Sequence, residues 1–257
     1  MASAHTDNHS HMTSDVSRSC PRRLVAEAVG TALLLAAVVG SGIMGDRLSG
    51  GNVAIALLAN TVATGAALVA LILTFGPISG AHFNPAVSFA DASQGGLSWG
   101  HASMYAIAQI VGALVGVALA DAMFAEPIYA WSHHARAGFP QALSEGIATF
   151  GLLSVIWGCA RRRPEAVPFA VGAYITAAYW FTASTSFANP AVTIARAATN
   201  TFAGIRPNDV PVFVVSQAIG ASAATALFHW LVPALPEVAD RVVGPHEPDR
   251  LNVSHRR

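Results

Sequence analysis

Two copies of the tripeptide Asn-Pro-Ala hold the residues with the clearest potential for chemistry in this chain. They are Asn84-Pro85-Ala86 and Asn189-Pro190-Ala191. Proline suits the first position of a helix, where no backbone N–H is needed, and an asparagine before it is a natural N-cap. Each tripeptide therefore predicts a helix that begins at its proline and directs its positive dipole end toward its asparagine.

Such a pair of helix starts favours the passage of a neutral solute over catalysis. Two facing asparagine amides can donate hydrogen bonds to one passing oxygen and replace part of its hydration shell. Two positive helix ends repel cations and disfavour a proton-carrying chain of water. A single Asn-Pro-Ala often caps an ordinary helix, but two copies at matching positions, each behind an apolar span, are specific. They predict the midpoint of a pore.

Six apolar stretches of spanning length must position these motifs. They have about twenty residues each, enough to cross a bilayer as helices, and we place them near 24–44, 53–75, 101–123, 142–159, 168–184 and 210–232. The first is too long for the core of a signal peptide and contains Glu27, so it is predicted to be a retained helix. Two shorter apolar segments, near 84–92 and 189–197, begin at the tripeptides and cannot span the bilayer alone.

The composition agrees with a multi-pass membrane protein, and we expect it in the cell (inner) membrane. Hydrophobic residues make up 53% of the 257 residues and charged residues 11%, whereas soluble domains have about 25% charged residues. The net charge is zero, which gives no reason to expect a nucleic-acid partner. The chain shows no nucleophile–base pair, phosphate-binding loop or metal-ligand spacing, so no enzyme, cofactor or metal is predicted.

Three segments recur in the same order in the two halves of the chain. Residues 26–31 resemble 144–149, residues 83–88 resemble 188–193, and residues 108–113 resemble 216–221. Each half, near 24–123 and 142–232, has three spans, so the second half enters the membrane from the opposite side. This pattern predicts an inverted repeat, the architecture in which broken helices meet at the midplane.

Arginine placement predicts the orientation of the chain and its division into segments. With a cytoplasmic N-terminus, only four of the fourteen basic residues lie on outside segments: Arg47, Arg136, Arg196 and Arg206. Positive residues concentrate on the inside, so both termini are expected in the cytoplasm. We expect a disordered cytoplasmic tail at 1–20, a channel domain at 21–235 and a cytoplasmic C-terminal tail at 236–257.

Over about 24–232 the chain resembles the major intrinsic proteins, the aquaporins and aquaglyceroporins. The run Ser-Gly-Ala-His-Phe-Asn-Pro-Ala-Val at 79–87 is similar to the first signature of that family almost residue for residue. The resemblance implies an all-α membrane protein with six transmembrane helices and two half-helices in an aquaporin-like bundle. It also implies a homotetramer in the lipid bilayer, with one pore per subunit for small neutral solutes and water.

Several polar residues inside the spans are assigned to structural support. An ionisable group in a membrane is costly, and the resemblance implies that Glu27 and Glu145 each accept hydrogen bonds from a loop that supports a half-helix. A proton relay is the alternative. Gln109 and Gln217 receive the same support role, and His82, beside the first motif, is expected to serve packing or gating.

The chain departs from the family where the pore is expected to be narrowest. Most members have an arginine three positions after the second asparagine, and here that residue is Val192. Counting in the spacing of the family, the other filter residues are Thr64, Ala177 and Ser186, with Tyr179 replacing Ala177 if a short gap intervenes. A ring of Thr, Ala, Ser and Val has no fixed charge and no bulky aromatic group, so it predicts a wide filter.

Arg196 lies one helical turn beyond Val192 and has two interpretations. It returns a positive charge to the outer entrance, or it complements the C-terminal end of the second half-helix. The predicted function is a passive channel for glycerol, urea, metalloid hydroxides such as arsenous acid, and water. The alternatives are a water-selective aquaporin, an ion-coupled secondary transporter and a structural membrane protein with a closed pore.

Overall fold

The computed structural model describes residues 7–160 and 163–231, with side chains from residue 20 onward, and this part forms eight α-helices without a strand. They are α1 Asp7–Leu48, α2 Val53–Ser79, α3 Pro85–Ser93, α4 Trp99–Met123, α5 Phe139–Ala160, α6 Val167–Phe181, α7 Pro190–Arg196 and α8 Val210–Leu231. Short 3-10 turns at Pro164–Ala166 and Pro207–Asp209 lead into α6 and α8. The tail expected at 236–257 lies outside the described residues.

Five of the six predicted spans are confirmed, because five helices of the described part are long and apolar enough to cross a membrane. They are Cys20–Leu48, Val53–Ser79, Trp99–Met123, Phe139–Ala160 and Pro207–Leu231. The span predicted near 168–184 is shorter, because α6 has 15 residues and reaches about 22 Å at 1.5 Å per residue. The backbone becomes extended at Thr182, so the apolar residues that follow belong to the loop before the second motif.

The first helix begins earlier than predicted. The sequence predicts disorder through residue 20, whereas α1 extends back to Asp7, and residues 1–6 lie outside the described part. Lengthening a helix that the membrane span has already nucleated costs little per residue. The prediction of disorder depends on the polarity of this tail. Polar residues are nevertheless compatible with an extended helix.

The two halves of the predicted repeat, α1–α4 and α5–α8, have the same arrangement and interlock. In the first half α1 packs on α2 and α4, and in the second α5 packs on α6 and α8. Between the halves, α2 packs on α6, while the short helices α3 and α7 contact α8 and α4 of the opposite half. Each short helix is therefore held by long helices from both halves.

Glycines at matching positions of the repeat let the long helices approach closely. A Cβ atom added to Gly112 of α4 would lie 2.1 Å from the Ala28 carbonyl oxygen of α1. A Cβ on Gly220 of α8 would lie 2.2 Å from the Gly146 carbonyl oxygen of α5. Backbone atoms cannot move aside as the end of a side chain can, so these contacts require glycine.

Replacing Gly112 with alanine is therefore expected to destabilise the protein by about 2 kcal/mol, the usual size of an overpacking penalty. Gly158→Ala on α5 is the matched control. Its added methyl would meet its nearest neighbour, Phe228 Cε1, at an ordinary 3.5 Å, and alanine is the better helix former. Thermal unfolding in detergent should give a lower Tm for Gly112→Ala only, and equal Tm values would contradict the tight crossing.

Candidate pore and its lining

The two Asn-Pro-Ala motifs start the short helices as the sequence predicts. Pro85 and Pro190 are the first residues of α3 and α7. The side-chain oxygen of Asn84 accepts the backbone N–H of Ala86 at 2.9 Å, and that of Asn189 accepts the N–H of Ala191 at 2.9 Å. Each asparagine thus satisfies a helix-start donor that has no partner within the helix.

The same asparagines tie the two helix starts to each other. Asn84 Nδ2 donates to the carbonyl oxygen of Ala188 at 2.8 Å, and Asn189 Nδ2 donates to that of Phe83 at 2.8 Å. The acceptors are the residues directly before each asparagine, so the motifs face each other at close range. Each amide nitrogen has a second N–H, and both asparagines line one cavity.

Glu27 of α1 is buried and holds the loop that leads into α3. Its carboxylate accepts the backbone N–H groups of His82 at 3.0 Å and Phe83 at 2.7 Å. It also accepts the hydroxyl of Ser79 at 2.6 Å and the amide of Gln109 at 2.8 Å. Four donors therefore satisfy one carboxylate inside the membrane-spanning part of the protein.

Glu145 of α5 repeats this arrangement in the loop before α7. It accepts the backbone N–H groups of Phe187 and Ala188, both at 2.9 Å. The hydroxyl of Ser184 and the amide of Gln217 donate to it at 2.6 Å each. The two glutamates occupy equivalent places in the repeat, and their bonds have the geometry expected of loop supports.

Both supported loops contain strained backbone. Ala81, Phe83, Ser186 and Ala188 have φ values between 48° and 50°, in the left-handed region that costs a residue with a side chain roughly 1–3 kcal/mol. The N–H group of Phe83 donates to Glu27, and that of Ala188 donates to Glu145. The carboxylates thus offset the strain that brings each loop to the start of its short helix.

His82 lines the cavity and packs against the first short helix. Its Nδ1 lies 3.1 Å from Ser88 Oγ of α3, and its ring meets that of Tyr105 edge to face at 5.5 Å. Its Nε2 lies 4.0 Å from a carboxylate oxygen of Asp91. These contacts agree with a packing role, and they also place an imidazole in the wall of the cavity.

Three of the four predicted filter residues, Thr64, Ser186 and Val192, line the cavity. Ala177 does not line the cavity, because its side chain is exposed on the surface of the helix bundle. Tyr179 lines the cavity instead, and its hydroxyl lies 3.3 Å from Thr64 Oγ1. The cavity lining therefore favours Tyr179, the alternative that the sequence left open, over Ala177. A shift of two residues turns a helix by about 200°, so an ungapped count selected the wrong face.

The cavity combines a polar strip with an apolar wall. The filter hydroxyls and the two motif asparagines form the strip, and Tyr179 adds an aromatic ring that the ungapped count did not include. The empty space is about 600 Å³, open solvent at its ends included. The wall is formed by aliphatic residues of four long helices: Leu34, Val38, Leu68, Ile72, Leu152, Ile156, Val171 and Ile175.

Arg196, for which the sequence left two interpretations open, is buried and lines the same cavity. Its Nε donates to the carbonyl oxygen of Ala203, and its guanidinium carbon lies 3.4 Å from the centroid of the Phe187 ring. Arg136, from the loop between α4 and α5, approaches the same ring at 5.0 Å.

Arg136 also joins three chain segments at this end of the cavity. Its guanidinium donates to the carbonyl oxygens of Gly204 at 2.9 Å and Ser184 at 3.2 Å, and its backbone N–H donates to Asp209 at 2.8 Å. Burial lowers the pKa of this guanidinium, although arginine stays protonated in proteins. Sequence reasoning missed this residue, since no local pattern shows where a loop arginine will dock.

Comparisons with known proteins agree with this architecture. Residues 14–184 match the family model described as major intrinsic protein. Aquaglyceroporin AqpS of Rhizobium meliloti (strain 1021) is 58% identical over 216 residues, which cover 84% of this chain and 92% of that protein. The probable aquaporin AqpM of Archaeoglobus fulgidus is 30% identical over 239 residues, covering 82% of this chain and 96% of that one.

A solved structure shares the fold at low sequence similarity. The X-ray structure of the aquaglyceroporin from Plasmodium falciparum superposes with a TM-score of 0.66 at 20% identity, covering 84% of this chain and 98% of that one. At this identity the likeness concerns the fold alone.

Proposed function

This chain belongs to the major intrinsic protein family, and on that premise we propose that its pore passes glycerol, urea and undissociated metalloid hydroxides such as arsenous acid, together with water. The protein is a multi-pass membrane protein and a channel for small solutes, not an enzyme, because the members of this family are passive channels. The similarity to the bacterial protein AqpS supports a location in the cell (inner) membrane.

The small, uncharged side chain of Val192 on the cavity wall is the observation that carries this proposal. Most family members have an arginine at that position. Valine fills less space and offers no donor, so a solute larger than water has more room beside Thr64, Tyr179 and Ser186. The phenol of Tyr179 makes the filter narrower than alanine at this position would. Its hydroxyl, however, supplies a hydrogen-bond partner for a solute that bears oxygen.

The two-sided lining supports a solute with polar and apolar faces. Hydroxyls of a polyol, or oxygens of urea and arsenous acid, can meet the second amide N–H groups of Asn84 and Asn189 at the midpoint. Carbon-bound hydrogens then face the aliphatic wall. The positive ends of α3 and α7 disfavour cations at this point, so the proposed substrates are uncharged.

The remaining assignments belong to the same proposal. Glu27 and Glu145, with Gln109 and Gln217, serve as supports of the half-helices, and His82 serves their packing. We also propose a homotetramer with both termini in the cytoplasm, and a channel domain at 21–235.

Solute flux into liposomes that contain the purified protein tests the function. Stopped-flow light scattering should show that glycerol and urea enter faster than into protein-free liposomes, and arsenic analysis should show uptake of arsenous acid. Flux should rise linearly with solute concentration and be independent of a proton gradient. Water flow without flux of any of these solutes would favour a water-selective aquaporin. Saturating flux that collapses with the proton gradient would favour an ion-coupled transporter.

A further inference from the structure

We infer that Arg196 is the charge-selecting residue of the outer mouth, where it supplies the positive charge that the filter position Val192 lacks. The outer mouth is here the end of the cavity beside the α4–α5 loop, opposite the termini expected in the cytoplasm. This inference rests on the proposed channel function and extends it, because it assigns charge selection to a residue one helical turn beyond the filter.

The contacts of Arg196 favour a role in the pore over a role in ending α7. Arg196 is the last residue of α7 and is 2% exposed, yet it lines the cavity together with Val192. The carbonyl oxygens of Ile194 and Ala195 accept backbone N–H groups of the residues that follow α7. The guanidinium reaches past them to the carbonyl oxygen of Ala203. It therefore does not cap the helix that bears it.

The guanidinium of Arg196 is held in place, and most of its hydrogen-bond donors remain available. The Phe187 ring, at 3.4 Å, fixes its plane through a cation–π contact. Among the described residues it makes one hydrogen bond, through Nε, whereas a guanidinium has five N–H donors. Donors on the two terminal nitrogens therefore remain for groups that enter the cavity.

No carboxylate neutralises this charge in the described part of the chain. The ion pairs of arginine found there belong to Arg47 and Arg206. Arg136, which shares the Phe187 ring, binds carbonyl oxygens through its guanidinium and so adds a second positive charge. The Glu145 carboxylate is bound by four uncharged donors and makes no ion pair, and it acts electrostatically on both arginines, so one negative charge stands against two positive ones. Charges in a poorly hydrated site act more strongly than in water, so the mouth repels cations.

A filter hydroxyl next to the mouth lacks a partner within the described chain. Ser186 Oγ is buried and lines the cavity, and among these residues it makes no hydrogen bond. Buried polar groups are normally satisfied by protein or water, so this hydroxyl is available to a water or a solute that enters the cavity. Together with Arg196 this hydroxyl favours groups rich in oxygen acceptors. Charge is thus selected at the mouth and size at the filter.

A thiol at filter position 186, next to the mouth, can report the charge that a reagent meets on its way in. Cys20 and Cys159 are replaced by serine, and Ser186→Cys is introduced. In proteoliposomes the thiol is then modified from outside with an anionic methanethiosulfonate (ethylsulfonate) or a cationic one (ethylammonium). Each rate is divided by the rate of the same reagent with free 2-mercaptoethanol. The normalised rate should be at least about tenfold higher for the anion, and Arg196→Met should lower that ratio at least about tenfold.

Arg206→Met is the matched control, because Arg206 is 42% exposed in its side chain and paired with Asp209; its ratio should stay unchanged. Equal normalised rates in the protein that keeps Arg196 would overturn the inference, and this comparison does not depend on folding of Arg196→Met. An unchanged ratio in folded Arg196→Met would also overturn it. Urea flux of the protein without the thiol tests the channel function separately, so the two failures can be told apart.

Discussion

Replacing Val192 with arginine is expected to lower glycerol and urea flux at least about tenfold, with a smaller effect on water. The longer side chain would enter the cavity beside Thr64, Tyr179 and Ser186 and would have to be displaced or rearranged by each solute that passes. A rise of about 1.4 kcal/mol in the barrier suffices for a tenfold loss. Water needs less room and can exchange hydrogen bonds with the new guanidinium.

The measurement is stopped-flow flux of glycerol, urea and water through liposomes with equal amounts of protein. Val192→Met is the control for length without charge and should reduce solute flux less. Gel filtration should show that all variants keep the native size, because residue 192 lies on the cavity wall and not between helices. If solute selectivity is unchanged in Val192→Arg, residue 192 is not at the constriction and the wide-filter proposal is wrong.

Replacing Glu145 with alanine is expected to destabilise the protein by at least about 3 kcal/mol and to abolish solute flux. The change removes the acceptor of the Phe187 and Ala188 N–H groups, of Ser184 and of Gln217. Each buried donor left unsatisfied costs about 1–3 kcal/mol. The positive-φ backbone of this loop would also lose its support, so α7 would no longer be held at the pore.

Glu126→Ala is the matched control for this experiment. Glu126 pairs with Arg47 at 2.7 Å, with side chains 32% and 49% exposed, and surface ion pairs are worth at most about 1 kcal/mol. Thermal unfolding in detergent should therefore separate the two variants clearly. Glu145→Gln keeps one acceptor oxygen and should fall between them. Equal stability of Glu145→Ala and Glu126→Ala would show that the carboxylate does not hold the loop.

The sequence alone determined the parts of the pore that follow from local rules. Asparagine before proline specifies a capped helix start, whatever surrounds it, and both short helices begin where this rule places them. The repeated order of the motifs determined that the two starts face each other, because an inverted repeat leaves few other ways to bury them. Glu27 and Glu145 were identifiable because a membrane span rarely tolerates a carboxylate without partners.

Tertiary structure alone decided which side chains reach the cavity. Tyr179 and Ala177 are two residues apart on an apolar helix, and only the packing of α6 on α2 and α5 fixes which of them turns inward. Arg136 and Arg196 meet at Phe187 although loops and helices separate them in the chain. Hydrogen-bonding rules act between chain neighbours, whereas helix rotation and loop path are set by contacts between distant segments.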